Sequence, residues 1–260
     1  MTMQRIIVLG SAAALSTADR DNTFFAFDSP RALLLIDCAG SPYQKLLKAG
    51  LDPQRLEGAI ITHAHPDHIY GLPSLVHHFM MIKREEPFTI YANSRTLRIA
   101  KDILGILGLK RGFVAFSEIP MEEGFVVFDN EEYAVHTSPV RHIGPTLAVK
   151  ITAKLGGVSV VYSADTAPCP ELLALAKEAD ILFHECSATK PTRGHSTPQQ
   201  VAKLAQWCGV RKLVLVHLHP LLATNSERLV EEVREFYKGE LRIAHDLEVY
   251  ELAPPQPAGK

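Results

Sequence analysis

The hydrophobic pattern of this chain is mostly that of short buried strands. Runs such as Arg5–Leu9, Ala59–Ile61 and Leu213–Val216 are apolar, contain branched side chains and end at polar or glycine-containing stretches. Between such runs lie segments with apolar residues at helical spacing, of which Ile69–Phe79 is the clearest. Many strands with interspersed helices predict an α+β fold, in which two β-sheets pack face to face and helices cover their outer surfaces.

Turn and cap residues predict where several elements begin and which strands pair. Ser29-Pro30 lies between two apolar runs and predicts a hairpin, and Gly156-Gly157 predicts a second one. Ser94 is expected to cap a helix that continues to about Leu107. Another helix is expected to start at Ser196 or Thr197, next to a proline at its first position.

Composition indicates one large folded unit. Of the 260 residues, 47% are hydrophobic and 22% are charged, which is enough apolar material for a substantial core. We expect a single domain over residues 1–252 and a disordered tail, 253–260, that contains three prolines. The formal net charge of −2 weighs against a dedicated nucleic-acid-binding surface, although it leaves room for a local basic patch.

The distribution of cysteines and apolar runs indicates the cellular compartment in which the protein is expected. The four cysteines are widely separated and form no Cys-x-x-Cys pair, so we expect reduced thiols in a cytoplasmic protein. The first apolar run is about five residues long, shorter than the core of a signal peptide, and predicts a strand instead. No apolar run approaches the ~20 residues that a membrane span requires.

The strongest chemical signal is the stretch from Thr62 to His68, which comes directly after an apolar run. Two imidazoles two residues apart on an extended chain point to the same side, so His63 and His65 are expected to share one metal ion. Asp67 and His68 are neighbours whose side chains diverge. This divergence favours a second metal ion, about 3.5–4 Å from the first, as in paired hydrolytic sites.

The order His63-x-His65-x-Asp67-His68 after an apolar strand resembles the metal-binding motif of the metallo-β-lactamase superfamily. This resemblance implies a four-layer αββα sandwich with a metal site at one edge. It also implies further ligands much later in the chain. His142 is expected to complete the first metal site, with His136 as the alternative, because a loop has more freedom than a strand interior to point at a metal.

The resemblance implies two more ligands. Asp165 is similar to the carboxylate that bridges both metals in the phosphodiesterase and glyoxalase branches of the superfamily. True zinc β-lactamases usually carry Cys there, which disfavours antibiotic hydrolysis. His217 leaves a buried strand and is expected to be the last ligand of the second metal, with His219 as the alternative. Asp37, at the end of another strand, is either a partner for a ligand imidazole or a strand-end cap.

The segments His184-Glu185-Cys186 and Gly194-His195-Ser196-Thr197, together with the strand-borne His217, resemble the ribonuclease Z branch. The resemblance favours His195 as the general acid that protonates the leaving alkoxide, with Glu185 as its orienting partner. Usual ribonuclease Z enzymes carry a long arm that grips tRNA, inserted before the bridging Asp. Only residues 143–164 are available here, and a predicted hairpin uses nearly all of them.

These observations favour a hydrolase that cleaves small or cyclic phosphodiesters with hydroxide activated by two divalent metal ions. Asp67 would orient that hydroxide and receive its proton. Zinc is the expected metal, with manganese or iron as alternatives. The alternative functions are an RNA 3′-end endonuclease without the arm, a thioester or lactone hydrolase on the same metals, and a metal-containing binding scaffold. RNA is therefore not the favoured partner, no membrane partner is expected, and the resemblance suggests a homodimer.

Overall fold

Residues 4–253 are described by a computed structural model, in which helices separate single strands and runs of several strands. The strands are β1 Arg5–Gly10, β2 Phe24–Asp28, β3 Leu33–Ile36, β4 Leu56–Ile60, β5 Phe88–Ala92, β6 Val114–Glu118, β7 Phe125–Asp129, β8 Tyr133–Val140, β9 Thr146–Ala153, β10 Ser159–Tyr162, β11 Ile181–Cys186, β12 Lys212–Leu218, β13 Glu240–Ile243 and β14 Glu248–Glu251. The predicted tail, 253–260, lies outside the described residues except for Ala253.

The helices are α1 Pro42–Lys48, α2 Pro66–Ile69, α3 Gly71–Met81, α4 Ser94–Ile106, α5 Pro170–Ala176, α6 Pro198–Cys208, α7 Pro220–Ala223 and α8 Ser226–Arg234. Thr197 and Gln200 form a reciprocal capping box at the start of α6, and Gly209 ends that helix at a φ of 67°. The cap of α4 is Asn93, whose side chain accepts a hydrogen bond from the Thr96 amide, and not Ser94 as predicted.

The strands form two seven-stranded mixed sheets. The first has the order β14-β1-β2-β3-β4-β5-β6 and the second the order β13-β12-β11-β10-β9-β8-β7. The hairpins predicted at Ser29-Pro30 and Gly156-Gly157 are confirmed as the antiparallel pairs β2–β3 and β9–β10. The last two strands lie in different sheets, so the C-terminal segment links the two halves of the sandwich.

Three apolar layers hold this arrangement together. One lies between the sheets, a second lies between the first sheet and helices α1, α3 and α4, and a third lies between the second sheet and helices α5, α6 and α8. The predicted four-layer αββα sandwich is therefore confirmed. Among residues 4–253, no helix combines the length and the apolar character needed to cross a bilayer.

The strand ends determine where chemistry can take place. Strands β3 and β4 of the first sheet are parallel to each other, as are β10, β11 and β12 of the second. Their carboxyl ends carry or lead into polar residues, namely Asp37, Thr62, Ser163, Glu185 and His217. The Leu147 amide donates a 3.1 Å hydrogen bond to the Thr62 carbonyl and ties the two sheets together at this edge.

The layer between the sheets provides a test of the fold. Phe25 is fully buried and meets Tyr162 and Phe183 edge to face, at centroid distances of 4.8 and 5.2 Å. Replacing Phe25 with Ala should lower the free energy of unfolding by about 3–5 kcal/mol, because it leaves a cavity between the sheets. Denaturant unfolding measures this change. Leu155→Ala, at an exposed position, is the control and should change stability by less than about 0.5 kcal/mol; equal effects would contradict this packing.

Candidate metal centre

Strained backbone turns several side chains out of the strands toward one point. Three non-glycine residues with positive φ lie at the edge described above: Asp37 at 62°, Ala164 at 50° and His217 at 50°. Such conformations cost of order 1–3 kcal/mol each and concentrate at functional sites. His217 is also the extra residue of an irregularity in the pairing of β11 with β12, which re-aims its imidazole.

The first group of candidate ligands contains His63, His65, His142 and Asp165, whose ligand atoms lie within 4.8 Å of one another. His65 Nδ1 lies 3.1 Å from His63 Nε2 and 3.0 Å from His142 Nε2. Asp165 Oδ2 lies 3.8 Å from His63 Nε2 and 3.9 Å from His142 Nε2. Three ring nitrogens and one carboxylate oxygen therefore face a common point.

The protonation of these three rings favours a cation at that point. Burial lowers the pKa of His63, His65 and His142, so the rings are held neutral, the form that binds metal. His142 Nδ1 lies 2.7 Å from the Gly194 carbonyl oxygen, which only accepts hydrogen bonds, so its proton is on Nδ1. His142 Nε2 therefore presents a lone pair to His65 Nδ1, an arrangement that a shared cation satisfies.

The second group contains Asp67, His68, Asp165 and His217, again with ligand atoms within 4.8 Å of one another. His217 Nε2 lies 3.2 Å from Asp67 Oδ2 and 3.4 Å from Asp165 Oδ1. His68 Nε2 lies 3.4 Å from the same Asp165 Oδ1 and 3.5 Å from Asp67 Oδ2. Asp165 thus directs one carboxylate oxygen at each group, as a bridging ligand would.

Some buried polar atoms of the second group have no hydrogen-bond partner in the described part of the chain. His68 Nε2 and Asp165 Oδ1 are two of these atoms. Burial lowers the pKa of His68, but Asp165 and Asp37 outweigh burial and raise it well above its usual value. Burial raises the pKa of Asp165, but His217 and His68 outweigh burial and hold it well below its usual range. The donor set therefore fits divalent metal ions, which would supply the positive charge and partners for these atoms.

Asp37 fixes the orientation of the His68 ring through the nitrogen that faces away from the cluster. Its Oδ2 accepts a hydrogen bond from His68 Nδ1 at 2.7 Å, which leaves Nε2 free to face the cluster. Its Oδ1 accepts hydrogen bonds from the amide and the hydroxyl of Thr62, at 2.8 and 2.9 Å. Of the two sequence interpretations of Asp37, the structure supports the one in which it is the partner of an imidazole, that of the candidate ligand His68.

Beside the two groups lie the buried Glu185 and the half-buried His195, which contact each other. His195 Nδ1 lies 3.4 Å from Glu185 Oε1 and 3.0 Å from the Ser187 hydroxyl. Glu185 is completely buried and accepts hydrogen bonds from the Ser187 and Ser196 amides, so its carboxylate is fixed. Burial lowers the pKa of His195, but the hydrogen bond with Glu185 and its charge outweigh burial and raise it above its usual value. The structure thus brings together the proposed acid and its proposed partner.

The alternative ligands do not reach the cluster. His136 lies within β8, opposite Lys150, and lines a separate groove beside α5. His219 caps α7 by accepting a hydrogen bond from the Leu221 amide with its Nδ1. His77 and His78 are exposed on α3, as expected for residues outside the site. Geometry therefore favours His142 and His217, the residues preferred from the sequence, although their role as ligands stays a prediction.

Sequence reasoning missed three residues at the site. Thr62 links Asp37 to His63, with its hydroxyl 3.1 Å from His63 Nδ1. Ser187 contacts both Glu185 and His195. Gly194 approaches His142 so closely that a Cβ on it would lie 2.9 Å from His142 Nδ1. Their positions within two residues of His63, Glu185 and His195 in the chain were the available signal, but only the folded chain shows the contacts.

Comparison with known proteins places this fold and site in a family. The family model described as a beta-lactamase superfamily domain matches residues 33–218. The chain belongs to this superfamily. The predicted resemblance to the metallo-β-lactamase superfamily is confirmed, and the match covers every candidate ligand from His63 to His217.

Individual relatives refine this assignment. Ribonuclease Z of Methanosarcina mazei is 27% identical, over 94% of this chain and 97% of the relative. That alignment runs over 303 positions, which exceeds the 260 residues of this chain, so the relative contains segments that are absent here. The likeness to ribonuclease Z therefore extends over most of the chain, but not over all of the relative's insertions.

Solved structures show the same fold. The metallo-beta-lactamase fold protein YhfI of Bacillus subtilis has a TM-score of 0.80 and 22% identity, with 96% of this chain and 99% of that chain covered. The short form of human tRNase Z has a TM-score of 0.76 and 22% identity, with 95% and 99% covered. The shared architecture includes both sheets and extends over nearly the full length of each of these chains.

The bridging position of Asp165 can be tested by counting metal ions. In the Asp165→Ala protein we expect a fall from about two bound ions per chain to fewer than one, because both groups lose a ligand. Elemental analysis of the purified proteins by mass spectrometry measures the ratio. His136→Ala is the matched control, since it removes a histidine from outside the cluster and should leave the ratio unchanged. Two ions retained after Asp165→Ala would rule out a bridging carboxylate.

Proposed function

We propose that this protein is a metal-dependent hydrolase of phosphodiester bonds and that its preferred substrate is a small or cyclic phosphodiester. The observation that carries the proposal is the pair of four-residue groups sharing Asp165, with the His195–Glu185 pair beside them. Ribonuclease Z relatives support phosphodiester cleavage as the reaction class. Two divalent ions would be held by His63, His65 and His142 on one side and by Asp67, His68 and His217 on the other.

When bound, the metal ions would lower the pKa of an attacking water and neutralise charge on the phosphoryl oxygens. Zinc is the expected metal, with manganese or iron as alternatives, since imidazole and carboxylate ligands suit all three. The protein's own contribution is to hold these ligands in place before substrate arrives. Asp37 and Gly194 do so by fixing the ring orientation of His68 and His142.

Two residues are proposed to move protons. Asp67 lies at the border of the cluster, with its side chain 12% exposed, and can orient the attacking water and accept its proton. His195 is half-buried, with its ring centroid 4.8 Å from that of His142 and 6.2 Å from that of His217, and it can donate a proton to the leaving alkoxide. Glu185 favours the protonated form of His195 and orients its ring, so the acid is ready when the phosphodiester binds.

The preference for small substrates rests on the segment between His142 and Asp165. Strands β9 and β10 form a tight hairpin, closed by a hydrogen bond from the Ala153 amide to the Val158 carbonyl. The residues of this segment are therefore used by the sheet, and no long arm can extend from them. The alternative is a ribonuclease Z-like tRNA 3′-end endonuclease that works without the arm, which the named relatives favour.

Other aspects of the function stay predictions from the sequence. A cytoplasmic location rests on the cysteine pattern, a homodimer on the resemblance, and a single domain over residues 1–252 on the composition. Thioester or lactone hydrolysis uses the same kind of metal pair and is kept as a minor alternative. The His195–Glu185 pair argues for a reaction whose leaving group needs a proton, which alkoxides do.

The role of His195 can be separated from metal binding. His195→Ala should reduce kcat on a cyclic nucleotide, whose leaving group is an alkoxide, by roughly 10²–10⁴-fold, the usual contribution of a general acid. The effect on bis-p-nitrophenyl phosphate should be much smaller, because its leaving group needs no proton. The metal content of the variant should match that of the wild type. Glu185, His195 and His217 also have ligand atoms within 4.8 Å of one another, so loss of metal would show that His195 is a ligand instead. His78→Ala, on an exposed helix face, is the control and should leave both measurements unchanged.

A substrate panel decides between the two functions. Purified protein with zinc or manganese should hydrolyse bis-p-nitrophenyl phosphate and cyclic nucleotides, and it should cleave a tRNA precursor weakly, because the described segment between His142 and Asp165 contains no arm to hold the tRNA body. Initial rates with each substrate measure this order. Efficient cleavage of the precursor at one position near its 3′ end would reverse the preference, and hydrolysis of thioesters alone would reject both phosphodiester functions.

A further inference from the structure

Charged residues are distributed unevenly along this chain. Three stretches, 87–101, 133–164 and 186–226, contain no Asp or Glu, although the whole chain has 29. The same stretches contain eleven Lys and Arg. They also supply His142, His195 and His217 to the site. The segments that build one side of the candidate centre are therefore purely basic in a chain whose net charge is slightly negative.

The structure brings parts of these stretches together around one loop, residues 141–145. The Asn93 side chain, at the start of α4, donates a 3.1 Å hydrogen bond to the Pro145 carbonyl. Arg95, in the first turn of α4, places its Nη1 only 3.8 Å from where a Cβ on Gly144 would lie. The Arg95 side chain thus lies directly against the loop that carries His142.

The third stretch approaches the same loop at His142 and Ile143. Gly194 packs against it so closely that an added Cβ would lie 3.3 Å from the Ile143 amide nitrogen. Arg193 immediately precedes Gly194, and Arg141 immediately precedes His142. All three arginines, at positions 95, 141 and 193, are exposed. In the described part of the chain, none has a carboxylate oxygen within 4.0 Å of its guanidinium group.

From this arrangement we infer that Arg95, Arg141 and Arg193 form an arginine collar that binds a second phosphate group of the substrate, next to the phosphodiester that is cleaved. The inference rests on the proposed function and specifies its substrate class: a phosphodiester with at least one further phosphate, such as a phosphorylated nucleotide ester or a short oligonucleotide. Guanidinium groups bind phosphate in a bidentate manner, and no carboxylate among residues 4–253 pairs with these three.

The collar makes a direct prediction about charge in the substrate. Thymidine 5′-(p-nitrophenyl phosphate) and its 3′-phosphorylated form contain the same scissile bond and leaving group and differ by one phosphate. We expect kcat/KM to be roughly fivefold higher for the 3′-phosphorylated form, the sum of several exposed ionic contacts. This ratio should approach one in the Arg95→Ala/Arg141→Ala/Arg193→Ala protein. The ratio should also approach one for the wild type in about 1 M salt, because salt at this concentration screens the attraction between exposed charges.

A matched control lies on the same helix. Arg98 is also exposed on α4, but it lines a different groove together with Asp102 and Glu118. Arg98→Ala removes the same charge one helical turn away and should preserve the ratio between the two substrates. An equal loss of the ratio in Arg98→Ala would show that general surface charge, and not the collar, is responsible.

A binding measurement separates failure of the collar from failure of the proposed function. Calorimetry compares thymidine 3′,5′-bisphosphate with thymidine 5′-monophosphate on the metal-loaded protein, and we expect the bisphosphate to bind more tightly by a similar factor. Tighter binding without hydrolysis of either ester would retain the collar and reject the phosphodiesterase proposal. Hydrolysis with equal binding and equal kcat/KM would reject the collar alone. A longer oligonucleotide ester that is preferred over the 3′-phosphorylated nucleotide would support the collar and identify a nucleic-acid strand as the source of the second phosphate.

Discussion

The buried carboxylate of Asp165 is the constraint on which the rest of the site depends. It lies between two sets of imidazoles, 2% exposed, with one oxygen directed at each set and with no hydrogen bond to its Oδ1 in the described residues. An ionised carboxylate in such a place is unfavourable unless positive charge compensates it. The surrounding rings are partly neutral because they are buried too, so the compensation is best provided by metal ions.

The fold bears the cost of assembling this charge. Strands from both sheets end at one edge, and their last residues adopt strained backbone conformations to aim Asp37, Asp165 and His217 inward. The three apolar layers and the hydrogen bond from Leu147 to Thr62 hold this edge together. Their stabilising free energy offsets the cost of the strained backbone. A site of this kind needs a rigid scaffold, since its ligands come from places far apart in the chain.

Electrostatics around the site then divides into two zones. Inside, carboxylates and neutral imidazoles prepare a place for cations. Outside, the segments that border the His142 loop carry arginine and lysine without acidic neighbours in sequence. Such an arrangement attracts anionic substrates toward a centre that would otherwise repel them, because Asp67, Asp165 and Glu185 lie close together. A metal-loaded centre with a basic rim is therefore suited to phosphate esters more than to neutral carbonyl substrates.

The sequence by itself determined the class of fold and most of the candidate ligands. Hydrophobic periodicity is a local property, so it predicted the hairpins, many of the strands and the layered arrangement, and the His63–His68 motif is contained within one short loop. It missed β6 and misplaced the cap of α4, because short half-buried strands and adjacent cap residues give weak local signals. Only the tertiary structure shows that His142 and His217 face the cluster and that His136 and His219 do not. These placements depend on the direction of a side chain after a bulge or at a helix start, and on contacts between residues such as Gly194 and His142 that lie far apart in the chain.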